Sequence, residues 1–242
     1  MSTNSNLLHI ANIEIDVIRK DIKNMHLAVY PPHGRIRLAV PLKTDEEVFR
    51  LFAISKLGWI KKHVKGFQEQ ARETKRDYVS GESLFFQGVR YLLEVQEKNG
   101  YSSVKIEGTK KIILKIKEGA TTEEKAIVIR EWYRKQLKLQ IKPLLDKWEK
   151  IIEVSTNDWR VKHMKTKWGS CNTDSKSILL NLELAKKPPI CLEYILVHEL
   201  VHLHERNHND RFVSLMDKFM PKWRLHRDEL NKLPIVHNDW GY

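Results

Sequence analysis

The sequence predicts an α+β fold in two domains, on three observations. Short runs of alternating apolar and polar residues crowd the segment from residue 7 to residue 118. Two long stretches with helical spacing follow, at 123–152 and 190–203. Between these regimes stands Gly119-Ala120-Thr121-Thr122, a boundary with helix-capping residues at its end. The expected arrangement is a small β-rich domain with one helix over 1–118, and over 119–242 a domain of helices with one β-hairpin.

The N-terminal elements follow from pattern and punctuation. Residues 7–18 read as one strand. Residues 25–30 and 35–40 alternate more clearly, and Pro31, Pro32, His33 and Gly34 supply the turn of a hairpin. Thr44, with Glu47 three residues on, predicts a capping box. The helix it opens carries Val48, Leu51, Phe52, Ile54, Leu57 and Ile60 and runs through His63 and Phe67 towards Arg72, with Trp59 in the core. Ser83 to Phe86, Val89 to Val95, Val104 to Ile106 and Ile112 to Ile116 then read as four short strands.

The C-terminal elements are longer. Thr121 or Thr122 caps a helix from Glu123 to Ile151 or Ile152, with Pro143 as a point of kinking. Residues 159–166 and 178–184 alternate and predict a hairpin with a polar turn at Asn172 to Ser175. Pro188 and Pro189 start the next helix. Asn209 or Asp210 caps a helix over 211–220, and Pro221 starts a last one over 222–233. The tail HNDWGY (237–242) reads as irregular.

Composition bounds the function. The chain has 242 residues, 41% hydrophobic and 31% charged, as in water-soluble globular proteins. No run of 18 apolar residues and no N-terminal export signal is visible, so no membrane partner is expected and a cytoplasmic location is the default. Cys171 and Cys191 are too few for a disulfide framework and read as packing residues. The net charge of +12 permits a polyanionic partner. The basic residues are nonetheless scattered in small groups (Lys61-Lys62, Lys110-Lys111, Lys186-Lys187, Arg160 to Lys167), and nucleic acid is not the favoured partner.

The chemistry-bearing stretch is VHELVHLHERNH, Val197 to His208. It holds HExxH as His198, Glu199 and His202. A helix puts residues i and i+4 on one face, so both imidazoles can bind one metal ion, with Glu199 beside them to take a proton from a metal-bound water. Zinc lowers the pKa of such a water to about 7. The surrounding residues, Ile190 to Leu203, are apolar nearly all round, and buried polar side chains there require partners that a metal would supply. The expected cofactor is one Zn²⁺, with another divalent metal as an alternative.

A third ligand is needed. His208, six residues past His202, is the choice. On a continued helix it would lie about 9 Å further along the axis, so the chain must turn back first, and Asn207 is the expected point. Glu205 is a rival ligand, or an acceptor for a ligand imidazole. Glu229 is a more distant rival, and His204 points away. Asn207, Glu205, Arg211 and Tyr194 are candidates for supporting or substrate contacts. For the donor that steadies a developing oxyanion, His163, Tyr194, Arg211 and His226 are candidates.

The run KWGSC (Lys167 to Cys171), the strand ILLNLEL (178–184) and YILVHELVHLHERNHNDRF (Tyr194 to Phe212) resemble, in that order, the YgjP-like metallopeptidase family and more distantly the SprT-type zincins. The resemblance implies a zincin-like C-terminal domain, zinc ligands at His198, His202 and His208, and Glu199 as general base. It matches Trp168 to Cys171 to the family's WGSC box, Asn207-His208 to its Asn-His pair and Phe212 to its downstream Phe. The implied reaction is hydrolysis of a peptide bond. Family members have also been associated with nucleotide pyrophosphatase activity, so a nucleoside triphosphate is the alternative substrate, and a basic binding module with a structural zinc is a third reading.

Overall fold

The computed structural model describes residues 5–30, 34–69, 72–73, 76–164, 167–232 and 235–236. The chain divides into two compact units, one ending at Glu73 and the other covering Thr74–Val236. The boundary expected near residue 118 therefore lies inside the second unit. The reason is packing: Leu84, Phe86, Leu93, Ile112 and Leu114 share one buried cluster with Ile129, Trp132 and Tyr133 of the following helix.

In the first unit, β1 (Ser5–Ile10), β2 (Ile13–Lys20), β3 (His26–Tyr30) and β4 (Arg35–Pro41) form a sheet in the order β1-β2-β4-β3. Its two hairpins are antiparallel and its central pair, β2 and β4, is parallel. The single strand expected over 7–18 is thus two, folded at Ala11-Asn12 with Ala11 at φ 51°. The alternation changes phase there, from Leu8 and Ile10 before the turn to Ile15 and Val17 after it, and the mixed pattern of the run hid that change. The expected turn residues Pro31, Pro32 and His33 lie outside the described residues.

Two helices follow where one was expected: α1 (Glu46–Ser55) and α2 (Leu57–Glu69), divided at Lys56. The cap position is Asp45, its side chain makes no capping bond, and the Thr44–Glu47 capping box does not form. Trp59 is 42% exposed and lies against His63, whereas its neighbour Ile60 is fully buried. Ile60 continues the buried face of Phe49 and Ala53 in unbroken helical register, and Trp59, one position earlier, lies about 100° off that face. Gln70 and Ala71, on the expected extension towards Arg72, lie outside the described residues.

The second unit opens with β5 (Ser83–Phe86), β6 (Val89–Glu97), β7 (Ser103–Glu107) and β8 (Lys111–Ile116), in the order β5-β6-β8-β7. All four match the sequence expectation. The long α3 (Thr122–Ile152) is capped by Thr121, which accepts from Glu124 N–H while the Glu124 carboxylate accepts from Thr121 N–H. Such a reciprocal cap satisfies two helix-end donors. Pro143 stands inside this one continuous helix, which ends at Glu153 in the left-handed conformation.

A three-stranded sheet comes next: β9 (Asp158–Lys162), β10 (Gly169–Asn172) and β11 (Ser177–Asn181), in the order β9-β11-β10. The expected hairpin is corrected here. β9 pairs with β11 in parallel, and the hairpin partner of β11 is β10, the WGSC segment itself. Lys165 and Thr166, in the expected first strand, lie outside the described residues. Beyond Asn181 the chain becomes a 3-10 turn (Leu182–Lys186) rather than more strand, because the Asn181 side chain accepts from Glu183 N–H and donates to Met164 and Lys167 carbonyls.

Pro189 then begins α4 (Pro189–Val201), followed by α5 (Asp210–Phe219) and α6 (Trp223–Lys232). Asn209 caps α5 by accepting from Phe212 N–H. Residues 237–242, expected to be irregular, are outside the described set. No helix among the described residues is long and apolar enough to cross a membrane.

Candidate metal centre

The site is built on α4, which is buried nearly all round: Leu192, Leu196, Val197, Leu200 and Val201 are at most 1% exposed. Burial on this scale comes from α3 on one side and from β10, β11 and the two later helices on the others. Trp148 of α3 donates to Glu193, and His204 donates to the Ile152 carbonyl at the end of α3. His204 is thereby occupied with holding the helix end and takes no place in the ligand cluster.

The helix stops sooner than expected. It ends at Val201, with His202 as cap residue, and Leu203 and His204 continue as a tighter turn. Asn207 is not in the left-handed region; the chain leaves the helix at His202 and bends through Arg206 and Asn207. The returning segment delivers His208 immediately ahead of Asn209. One ring nitrogen from each of His198, His202 and His208 lies within 4.8 Å of the others. His208 Nε2 and His198 Nε2 are 3.0 Å apart. Tetrahedral zinc with bonds of about 2.0–2.1 Å would separate two nitrogens by roughly 3.3 Å.

Phe212 is the floor of this group. Its ring centroid lies 4.9 Å from His198, 4.7 Å from His202 and 4.7 Å from His208, and the three imidazoles are themselves 4.7–4.9 Å apart. A rigid ring in contact with all three restricts their rotation before any ion arrives. The cap at Asn209 fixes where α5 starts, and hence where Phe212 stands.

The electrostatics suit neutral ligands. Burial, reinforced by the two other imidazoles, pulls His198 down to about 3. Burial also lowers His202. His198 Nδ1 is buried without a hydrogen-bond partner. His202 Nδ1 donates to the Glu205 carbonyl at 3.1 Å, which fixes the tautomer and leaves Nε2 with its lone pair. Three convergent imidazoles, with burial favouring the neutral form of His198 and His202, fit a borderline-soft divalent ion such as zinc.

Glu199 is 5% exposed and lines the same open cleft, of about 630 Å³, as the three histidines. Burial pushes its carboxyl up to about 8, against the opposing pull of Lys167 and a bond from Cys171 N–H. The rivals stand elsewhere. The Glu205 carboxylate accepts from Asn207 N–H and lies outside the ligand group; its backbone carbonyl, not its side chain, supports His202. Glu229 is exposed and also outside the group, with its charge felt at Cys191. Tyr194 is buried edge-on to His198 and stacked on Trp223. His163 faces Glu183, Arg211 is exposed, and His226 lies near Glu193. None of His163, Tyr194, Arg211 and His226 lines the cleft; the cations that do are Lys167 and Arg206. The sequence singled out Lys167 only within the basic run Arg160 to Lys167 and as the start of KWGSC, and it did not single out Arg206. Gly169 of the KWGSC run lies against Glu199.

A family model described as the YgjP-like metallopeptidase domain matches residues 23–233. The chain belongs to that family. Membership makes a metal-dependent peptidase the class of enzyme to which this site belongs. Among solved structures, the chain is similar to the metallopeptidase zymogen abylysin of Pyrococcus abyssi, with 21% identity, 37% of this chain and 90% of that one covered, and a TM-score of 0.35. It is also similar to the zymogen jannalysin of Methanocaldococcus jannaschii, with 24% identity, 38% and 85% covered, and a TM-score of 0.34. No curated protein matches.

Proposed function

We propose that this YgjP-like chain is a zinc-dependent peptidase in which His198, His202 and His208 hold the ion and Glu199 is the general base. The observation that carries the reading is the convergence of three ring nitrogens within 4.8 Å, in one cleft with a buried carboxylate. A bound divalent ion would supply Lewis acidity towards a carbonyl oxygen and towards water. Its charge would also draw the Glu199 proton off, returning the carboxylate to the basic form at neutral pH. Glu199 then takes the proton of the attacking water and delivers it to the departing amine. Cys171 N–H occupies part of the carboxylate and orients the rest. β10 is an edge strand of its sheet, and an extended peptide can pair with its free side by strand addition.

The test is cleavage of a peptide library by zinc-loaded protein, beside Glu199→Gln and His208→Ala. Glu199→Gln should keep its zinc and lose about 10²–10⁴-fold in kcat, the usual worth of a general base. His208→Ala should lose zinc. Nucleoside triphosphates are run in parallel: phosphate release abolished by Glu199→Gln, with peptides untouched, would replace the peptide reading.

A further inference from the structure

Glycines usually mark places where the backbone needs a positive φ. Gly169 does not have one, and its need is spatial. A Cβ there would stand 2.5 Å from Glu199 Oε1, 2.8 Å from its Cγ and 2.9 Å from its Cδ. By contrast, a Cβ at Gly58, Gly81, Gly100, Gly108 or Gly119 would meet nothing within 4 Å. The Glu199 side chain is 5% exposed, and Leu196 and Leu200 beside it on the same helix are fully buried. Two residues along the same strand, Cys171 N–H donates to the same carboxylate.

We propose that strand β10 is a mould for the carboxylate, with Gly169 a positioning residue that leaves the space and Cys171 N–H the donor that fills it. The strand is held in register by its pairing with β11, Gly169 opposite Leu180 and Asn172 opposite Ser177. Its other side is the edge offered to an extended substrate. One strand therefore references both the peptide and the group that activates water against it. A side chain at 169 displaces the carboxylate without touching the three histidines. This rests on the reading of Glu199 as the base.

The experiment is a double-mutant cycle of Gly169→Ala and Glu199→Ala in the full chain, read in three ways. In metal-free protein, Gly169→Ala should lower Tm by about 3–10 °C, the scale of overpacking in a domain this size. In the Glu199→Ala background the same change should cost less than about 2 °C. Zinc stoichiometry should stay at the wild-type value in every variant. With Glu199 present, Gly169→Ala should cut kcat at least about tenfold while KM holds, the signature of a group that acts only on the chemical step. An equal Tm loss in both backgrounds, or failure of the double variant to fold, overturns the proposal, as does wild-type kcat in Gly169→Ala. The Tm arm uses no substrate. A Glu199→Gln enzyme that still cleaves peptides would therefore refute the base assignment and leave the steric contact to be judged separately.

Discussion

The two four-stranded sheets share one plan. Each consists of two antiparallel hairpins joined through a parallel central pair, in the order first, second, fourth, third, and each is followed by a helix. They differ in what the helix does next. In the first unit α1 has 10 residues, no side-chain cap bond, and buries Phe49 and Ala53. In the second, α3 has 31 residues, a full capping box, and nine buried positions from Ala126 to Ile152. Its first turns pack on their own sheet, with Trp132 against Phe86 and the Tyr133 hydroxyl donating to Phe85. Its last turns brace α4. The same strand plan thus serves either as a small layer with its own core or, with a longer helix, as the foundation of the candidate metal centre.

The largest test of this contrast is to damage each core in turn. Leu38 and Leu114 are both fully buried, each in its own cluster. Leu38→Ala and Leu114→Ala should each cost about 2–5 kcal/mol. Leu38→Ala should leave zinc affinity near wild type, whereas Leu114→Ala should lower both the stability and the zinc retention of the second unit. Equal loss of zinc in both variants would break the comparison. Chelation comes next: removing an ion held at 100 times its dissociation constant should withdraw about 2.7 kcal/mol. In calorimetry the second unit's transition should move down and the first unit's stay in place.

A smaller effect is the pH response of the metal-free second unit. His198 is held at about 3 against 6.5, so the unfolded chain binds a proton that the folded one refuses, and stability falls as pH drops from 6.5 towards 3. Glu199 is held at about 8 against 4.5, so the folded chain keeps a proton that the unfolded one releases, and stability falls as pH rises from 4.5 towards 8. The slopes cancel between 4.5 and 6.5, where Tm should be flat, with decline on both sides. Glu199→Gln should flatten the limb above 6.5 and leave the His198 slope uncancelled between 4.5 and 6.5, so that Tm rises across that window instead of staying flat. The smallest test is at the caps. Thr121→Ala should cost about 1 kcal/mol, while Asp45→Ala, lacking a capping bond to lose, should cost much less.

What could be read from the residues alone follows the same division. α3 announced itself because Thr121 and Glu124 cap it and its apolar spacing never breaks. The three histidines were legible because two share a helical face and the third had to return. The fold around β10 was not, since a four-residue strand containing Gly, Ser and Asn carries no alternation strong enough to reveal it. Its partnership with β11, and the parallel placement of β9, depend on contacts distant in sequence. The role of Gly169 was hidden for the same reason: spacing cannot show what another element pushes against. Trp59 misled because its size and apolarity suggested the core, although its position lies about 100° from the face that Phe49, Ala53 and Ile60 share.

The order of the three proposed ligands along the chain carries a consequence for biosynthesis. A polypeptide emerging from the ribosome presents both four-stranded sheets and all of α3 before His198, and nine further residues pass before His208 appears. Domains generally fold as they emerge, N-terminal parts first. The nascent protein therefore completes its foundation while it is still unable to capture an ion or cut a neighbour, and the catalytic pocket closes onto a scaffold already set.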